Sequence, residues 1–179
     1  RFPAQGAGWA VGEDGLILRQ QGAEWEQVEG PAEETLYALA FLDESHGWAA
    51  GENGTILRWD GAQWALDFAY TPAEDDPSGA TWAIYALDFS GAEDGWAGGA
   101  KLHPDGRVEP LLLHWNGRRW LPVDDVPACD ACGFSAVLAL SSRDLWAAGS
   151  LTTIPEAGDE PGAPTGLLWH WDGNAWTSF

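Results

Sequence analysis

The chain has 179 residues, 45% of them hydrophobic, with 23 Gly, 13 Trp and no Met, enough apolar side chain to bury a sizeable core. Eight Lys and Arg stand against 28 Asp and Glu, and the resulting formal net charge of −20 repels nucleic-acid phosphates and anionic lipid heads. No nucleic-acid partner is therefore expected, and with no stretch near the ~20 apolar residues of a spanning helix, no direct membrane insertion either.

Residues 1–28 read as a first blade of a repeat, ending in GAEWEQV, followed by a Pro-containing connection over 29–35. Residues 36–68 carry the clearest copy, HGWAAGENGTILRWDGAQWALD, with strands expected over 36–41, 48–51, 55–59 and 64–68. Asp60-Gly61 suits the positive φ that a two-residue hairpin requires, so its flanking strands should be antiparallel. An acidic insertion follows at 69–81, and a third blade spans 82–123, its second hairpin lengthened around 101–106. Residues 124–133 connect to the fourth blade, 134–179, whose second hairpin is opened by 152–164.

The copies align on their tryptophans. Trp9, Trp48, Trp96 and Trp146 are each followed three residues later by Gly12, Gly51, Gly99 and Gly149. Gly22, Gly61, Gly117 and Gly173 precede Trp25, Trp64, Trp120 and Trp176 by the same interval. Apolar runs at Tyr37, Leu39 and Phe41, at Tyr85, Leu87 and Phe89, and at Leu138 and Leu140 supply opening strands. The spacing matches the ~40–50 residues of a propeller blade. The expected fold is all-β: a β-propeller of four blades, each a four-stranded antiparallel meander, forming part of a larger ring. Aligning Trp9 on Trp48 sets Phe2 on Phe41, inside an opening strand, so further blades from the same or another chain are expected. A four-bladed ring, or a half ring pairing with another chain, is the alternative.

Strand alternation puts the loop between second and third strands on the same face as the connection to the next blade. All four insertions fall in those two kinds of loop, so one face is decorated and the other lean. Variable loops on a rigid scaffold commonly bind. The expected partner-binding residues are Glu74, Asp75, Asp76, Trp82, His103, Asp124, Asp125, Glu156, Asp159 and Glu160. The acidic face suits a protein partner, basic at its surface or belonging to a membrane-protein complex.

The motifs GWAVGEDGLILR and GWAAGENGTILRWDGAQW resemble the repeats of photosystem II stability and assembly factor-like propellers, related to bacterial neuraminidase (Asp-box) repeats. The resemblance implies a propeller outside the cytoplasm that binds other proteins and has no active site of its own. The chain departs from it at Arg58-Trp59-Asp60-Gly61-Ala62-Gln63-Trp64, where the family carries small hydroxyl residues before D-G-G-x-T-W.

Cys129 and Cys132 could form a redox pair, a half zinc site or a local disulfide. No helix N-terminus is signalled to activate a thiol and no second ligand pair is nearby in sequence, which favours the disulfide. His114 and His170 fall where the first two blades have Arg19 and Arg58, a repeated packing or hydrogen-bonding position rather than a catalytic one. Eleven of the 13 Trp sit at repeated positions, and Trp82, outside that set beside the acidic insertion, is the candidate ligand contact. A glycan-binding or sialidase-like propeller would need clustered arginines and a Tyr nucleophile with a carboxylate, a set the sequence does not assemble. Calcium-dependent adhesion would draw on Glu74, Asp75, Asp76, Asp124 and Asp125, which lack the spacing of a known calcium loop; no cofactor is expected, with calcium left open.

Overall fold

A computed structural model of the chain describes residues 8–71, 78–127, 129, 131–151 and 165–179. Alternating apolar strands separated by turn residues build four antiparallel sheets, each a meander in chain order. Blade one contains β1 (Trp9–Val11), β2 (Ile17–Gln21) and β3 (Glu24–Gln27) among its described residues. Blade two contains β4 (Leu36–Asp43), β5 (His46–Gly51), β6 (Ile56–Trp59) and β7 (Trp64–Phe68). Blade three contains β8 (Thr81–Gly91), β9 (Asp94–Leu102), β10 (Val108–Trp115) and β11 (Trp120–Pro122). Blade four contains β12 (Cys132–Ser141), β13 (Asp144–Leu151), β14 (Thr165–Trp171) and β15 (Trp176–Ser178). The sheets pack face to face in sequence, as blades of a β-propeller do.

The repeated tryptophans are the material between blades. Trp9 stacks on Phe41 of blade two at 5.5 Å, and Trp48 stacks on Phe89 of blade three at 4.1 Å. Within the last three blades the pairs Trp59–Trp64, Trp115–Trp120 and Trp171–Trp176 recur at 5.6, 5.7 and 5.7 Å, with interplanar angles of 46°, 45° and 42°. Asp67 on the outer strand of blade two accepts the indole N–H of Trp48 and of Trp120, each at 3.1 Å, and so ties two blades with one carboxylate. Val28 and Val123 stand at its repeat-equivalent positions. Correspondingly, the buried indole nitrogens of Trp64 and Trp96 have no hydrogen-bond partner among the described residues.

Two repeated glycines answer to space rather than conformation. A Cβ on Gly51, Gly99 or Gly149 would lie 1.9, 1.9 or 2.0 Å from the carbonyl oxygen of Thr35, Ala83 or Gly133. These approaches occur where the opening strand is irregular, with register shifts at Leu36/Ala38, Ile84/Ala86 and Phe134/Ala136. Gly47 and Gly95 lie under Phe41 and Phe89, where a Cβ would meet the ring at 2.3 Å. Blade four reverses that pair: Ala139 takes the Phe position and buried Leu145 the Gly position.

Two sequence expectations are corrected. The Asp-Gly turn is not a two-residue hairpin in the last three blades: Trp59 pairs Trp64 across a four-residue loop, and so do Trp115 with Trp120 and Trp171 with Trp176. Only the glycine has positive φ there, 97° at Gly61, while the Asp60 carboxylate accepts the amides of Ala62 and Gln63 at 2.8 and 2.9 Å. Blade one alone pairs Gln21 with Glu24 across two residues. Second, Trp82 lies in the core, as described below. The run at Leu138 and Leu140 does form the opening strand of blade four, β12, with both side chains exposed because Ala139 occupies the register of Phe41 and Phe89.

The repeated turn carries a built-in control for pH. The Gln63 and Ala62 amides hold the Asp60 carboxyl below the ordinary carboxylate value, and those of Ala175 and Asn174 do the same for Asp172. A lowered folded pKa means the cap is fully present above the unfolded carboxylate value and is lost as pH falls through the folded one. In blade three Asn116 accepts the amides of Arg118 and Arg119, each at 3.1 Å, through an amide oxygen that does not titrate. Acidification should therefore release the amides of Ala62, Gln63, Asn174 and Ala175 to faster hydrogen exchange while Arg118 and Arg119 stay protected. Equal loosening of all three turns would contradict this account.

Candidate functional site

Blade three departs from the repeat where β9 and β10 run on as a hairpin arm, Val108 pairing Leu102. Its turn is held by the His103 amide donating to the Arg107 carbonyl and the Gly106 amide to that of His103, both at 2.9 Å. Asp105 accepts the Arg107 amide at 3.0 Å, and Gly106 supplies φ of 86°. The Arg107 guanidinium binds Glu109 at 2.5 Å and stands 3.8 Å from Asp105 and 3.3 Å from His103 Nδ1. The His103 side chain is buried, its Nε2 3.4 Å from Glu109 but without hydrogen-bond geometry, so it supports the arm rather than presenting itself.

Facing the arm is the connection from blade three to blade four. Cys129 and Cys132 lie at disulfide distance, with Cα atoms 5.8 Å apart, which fastens the end of this connection to the start of β12. Ala131 between them has φ of 59°, a left-handed conformation uncommon for a residue with a Cβ. Val126 and Cys129 pack on the core between blades three and four. The Asp125 carbonyl accepts the Trp176 indole N–H at 2.8 Å. Between arm and connection opens a cavity of about 670 Å³, lined on one side by Lys101, Asp105, Arg107 and Glu109 and on the other by Asp124 and Cys129.

The structure thus brings the 101–106 and 124–133 insertions around one space, with Asp124 on its wall and Asp125 exposed beside it. The 69–81 insertion approaches the same end of the blades: a Cβ on Gly79 would meet Pro104 at 3.2 Å, and the Gly54 amide donates to the Trp82 carbonyl at 2.8 Å. Trp82 does not offer an open ring. It stacks on Tyr70 with centroids 3.9 Å apart and planes 9° from parallel, and the Lys101 ammonium lies 5.8 Å from its centroid. Glu74, Asp75, Asp76, Glu156, Asp159 and Glu160 lie outside the described residues. Among the described residues, no group of three or more His, Cys, Asp and Glu is placed to hold a metal ion.

The site that sequence reasoning missed is a tyrosine–carboxylate pair. Tyr37 donates its hydroxyl to Glu52 at 2.7 Å, and this hydrogen bond is the largest cause of a phenol pKa pushed up to about 12. A Tyr with a carboxylate partner is the nucleophile a sialidase uses. The convergent arginines that would bind its substrate are not assembled beside this pair among the described residues. Arg19 lies over Trp9 and Trp59, Arg58 over Trp48 and Trp115, and Arg107 on the arm. Arg118, Arg119 and Arg143 follow or precede strands in short hairpins at the opposite, lean end.

The repeated Arg/His position is structural. Each arginine spans one blade's first Trp and the next blade's Trp, at 5.3 to 5.8 Å from the ring centroids. His114 and His170 stack on Trp96 and Trp146, both at 4.3 Å, and bond Asp94 and Asp144 at 2.7 and 2.8 Å.

No protein-family model matches the chain, and no curated protein matches it. Among solved structures, it is similar to "YCF48 bound to D1 peptide" at 15% identity and a TM-score of 0.33, covering 97% of this chain and 77% of that one. It is also similar to YCF48 from Cyanidioschyzon merolae at 13% identity and a TM-score of 0.47, covering 96% of this chain and 68% of that one. The propeller architecture itself is carried by the chain's own meanders and by the packing of their faces.

Proposed function

We propose that the chain is a non-catalytic protein-interaction module, acting outside the cytoplasm and without a cofactor, that grips a segment of a partner protein on its decorated face. The observation that carries this reading is the cavity between the blade-three arm and the blade-three-to-four connection, since two insertions foreign to the repeat meet around it. A space of about 670 Å³ is of the size that accepts several side chains. Its walls carry Lys101 and Arg107 beside Asp105, Glu109 and Asp124, groups that recognise polar and charged side chains and peptide groups. The Cys129–Cys132 pair supports an oxidising compartment.

A photo-crosslinking side chain placed at Asp105, in the cavity, tests the reading against one placed at Gln63, on the lean end. The expected result, in extract of the source organism, is one discrete polypeptide adduct from position 105, lost when Asp124→Lys and Glu109→Lys are added, and none from position 63. Adducts at position 63 alone, or at 105 without sensitivity to the charge reversals, would overturn it.

A further inference from the structure

Twice in this molecule a pair of aromatic rings from neighbouring blades carries an arginine. Trp9 and Trp59 lie 5.0 Å apart with planes at 60°, and the Arg19 guanidinium stands over both. Trp48 and Trp115, 5.9 Å apart at the same angle, hold Arg58 in the same way. Tyr37 of blade two and Tyr85 of blade three make another such pair, 5.4 Å apart with planes at 46°. Each tyrosine is the extra residue at the register shift of its opening strand, left unpaired at the edge of its sheet. Tyr37 is 44% exposed and Tyr85 37%. Blades two and three each pack on a described blade at either side, so this exposure belongs to an interior joint. The Tyr37 hydroxyl sets the Glu52 carboxylate beside the rings, and together with the Thr35 amide it holds that carboxyl below its ordinary value, and so ionised. Glu13 is close enough to add a second negative charge to the surroundings of Tyr37. Among the described residues, no arginine or lysine lies over these two rings or pairs with Glu52.

We propose that this pair binds an arginine side chain of the partner protein, its guanidinium lying against the Tyr37 and Tyr85 rings and donating to the Glu52 carboxylate. The inference rests on the binding role proposed above and names one side chain of the ligand. Arginine fits better than lysine, because a planar guanidinium stacks on a ring and donates from its edge to a carboxylate at the same time. The site also lies within reach of a segment held in the larger cavity. A second cavity of about 250 Å³ is lined by Tyr85 and shares Val108 and Ala131 with the wall of the first. In blade four the equivalent of the two tyrosines is Ser135, so the aromatic pair is confined to the joint of blades two and three.

Fluorine NMR of the full chain labelled with 3-fluorotyrosine reads the site directly. The sequence has three tyrosines, and Tyr70, stacked on Trp82, is the internal control. N-acetyl-arginine amide should shift the Tyr37 and Tyr85 resonances saturably and leave that of Tyr70 in place. N-acetyl-citrulline amide, of the same shape without the charge, should shift none of them. Glu52→Gln keeps an oxygen acceptor for Tyr37 and Thr35, and should weaken arginine binding at least about tenfold. Tyr85→Leu, at an exposed position, should weaken it about threefold or more. Arginine shifts that are absent, matched by citrulline or unaffected by Glu52→Gln would overturn the inference. Crosslinking at position 105 separates it from the broader reading. A discrete adduct there without an arginine response removes this inference alone, whereas an arginine response without the adduct removes the cavity as the gripping site.

Discussion

Gly99→Ala will lower the stability of the chain to urea by about 3 kcal/mol or more, while Gly91→Ala will change it by less than about 0.5 kcal/mol. Neither glycine has positive φ, so conformational freedom does not separate them. Space does. A Cβ on Gly99 would lie 1.9 Å from the Ala83 carbonyl oxygen and 2.9 Å from the Ile84 Cα, and backbone cannot turn away as a side chain can. Relief would require β8 to leave β9 at its irregular register, and β8 also packs against β4 and β12. Gly91, the last residue of β8, has nothing within 4 Å of its would-be Cβ. Gly51→Ala and Gly149→Ala should behave as Gly99→Ala does, because the same carbonyl approach recurs at 1.9 and 2.0 Å. Equal, small effects at positions 91 and 99 would show that the opening strand yields easily and that the repeated glycine has another cause.

The second large effect comes from the Phe–Gly pair that blade four exchanges for Ala–Leu. Phe89→Ala removes a ring that stacks on Trp48 and meets Trp120 edge-on, and should cost about 3–5 kcal/mol. Gly95→Leu drives a side chain into that ring, where even a Cβ would stand 2.3 Å away, and should cost about 3 kcal/mol. The double variant should be more stable than the sum of the singles predicts by at least about 2 kcal/mol. Its Leu fills the volume the Phe vacates, as Leu145 does beside Ala139 against Trp96. Full recovery is not expected, because the ring contacts to Trp48 and Trp120 are not replaced. Strict additivity in urea unfolding would show that the two positions do not share one space.

Blade architecture was legible because buried strands make the same demand in every copy. Trp48 and Trp96 face the next blade, and Gly51 and Gly99 face a carbonyl, so neither can drift without losing the joint. What the repeat does not constrain was not legible. Trp82 stood outside the repeated set and so looked available, but its partner Tyr70 belongs to an insertion with no counterpart from which to read a stack. That Leu138 and Leu140 belong to a strand was legible, but which side of it they occupy was not, since period two cannot tell one face of a strand from the other until a partner strand fixes it. Tyr37 and Glu52 meet only because Leu36 pairs Gly51, a register that joins residues of two different motifs. The cavity needed two insertions to be folded against each other, and neither its size nor its walls are encoded in either alone.

The three like-oriented indole pairs have an optical consequence. Trp59–Trp64, Trp115–Trp120 and Trp171–Trp176 hold nearly one separation and one angle, so the electronic transitions within each pair lie close enough to couple. Each circular-dichroism couplet exists only while the third and outer strands of its blade remain paired. Blade-by-blade substitution of the outer tryptophan by phenylalanine would remove these pairs one at a time, giving a spectroscopic ruler for the order in which the blades open.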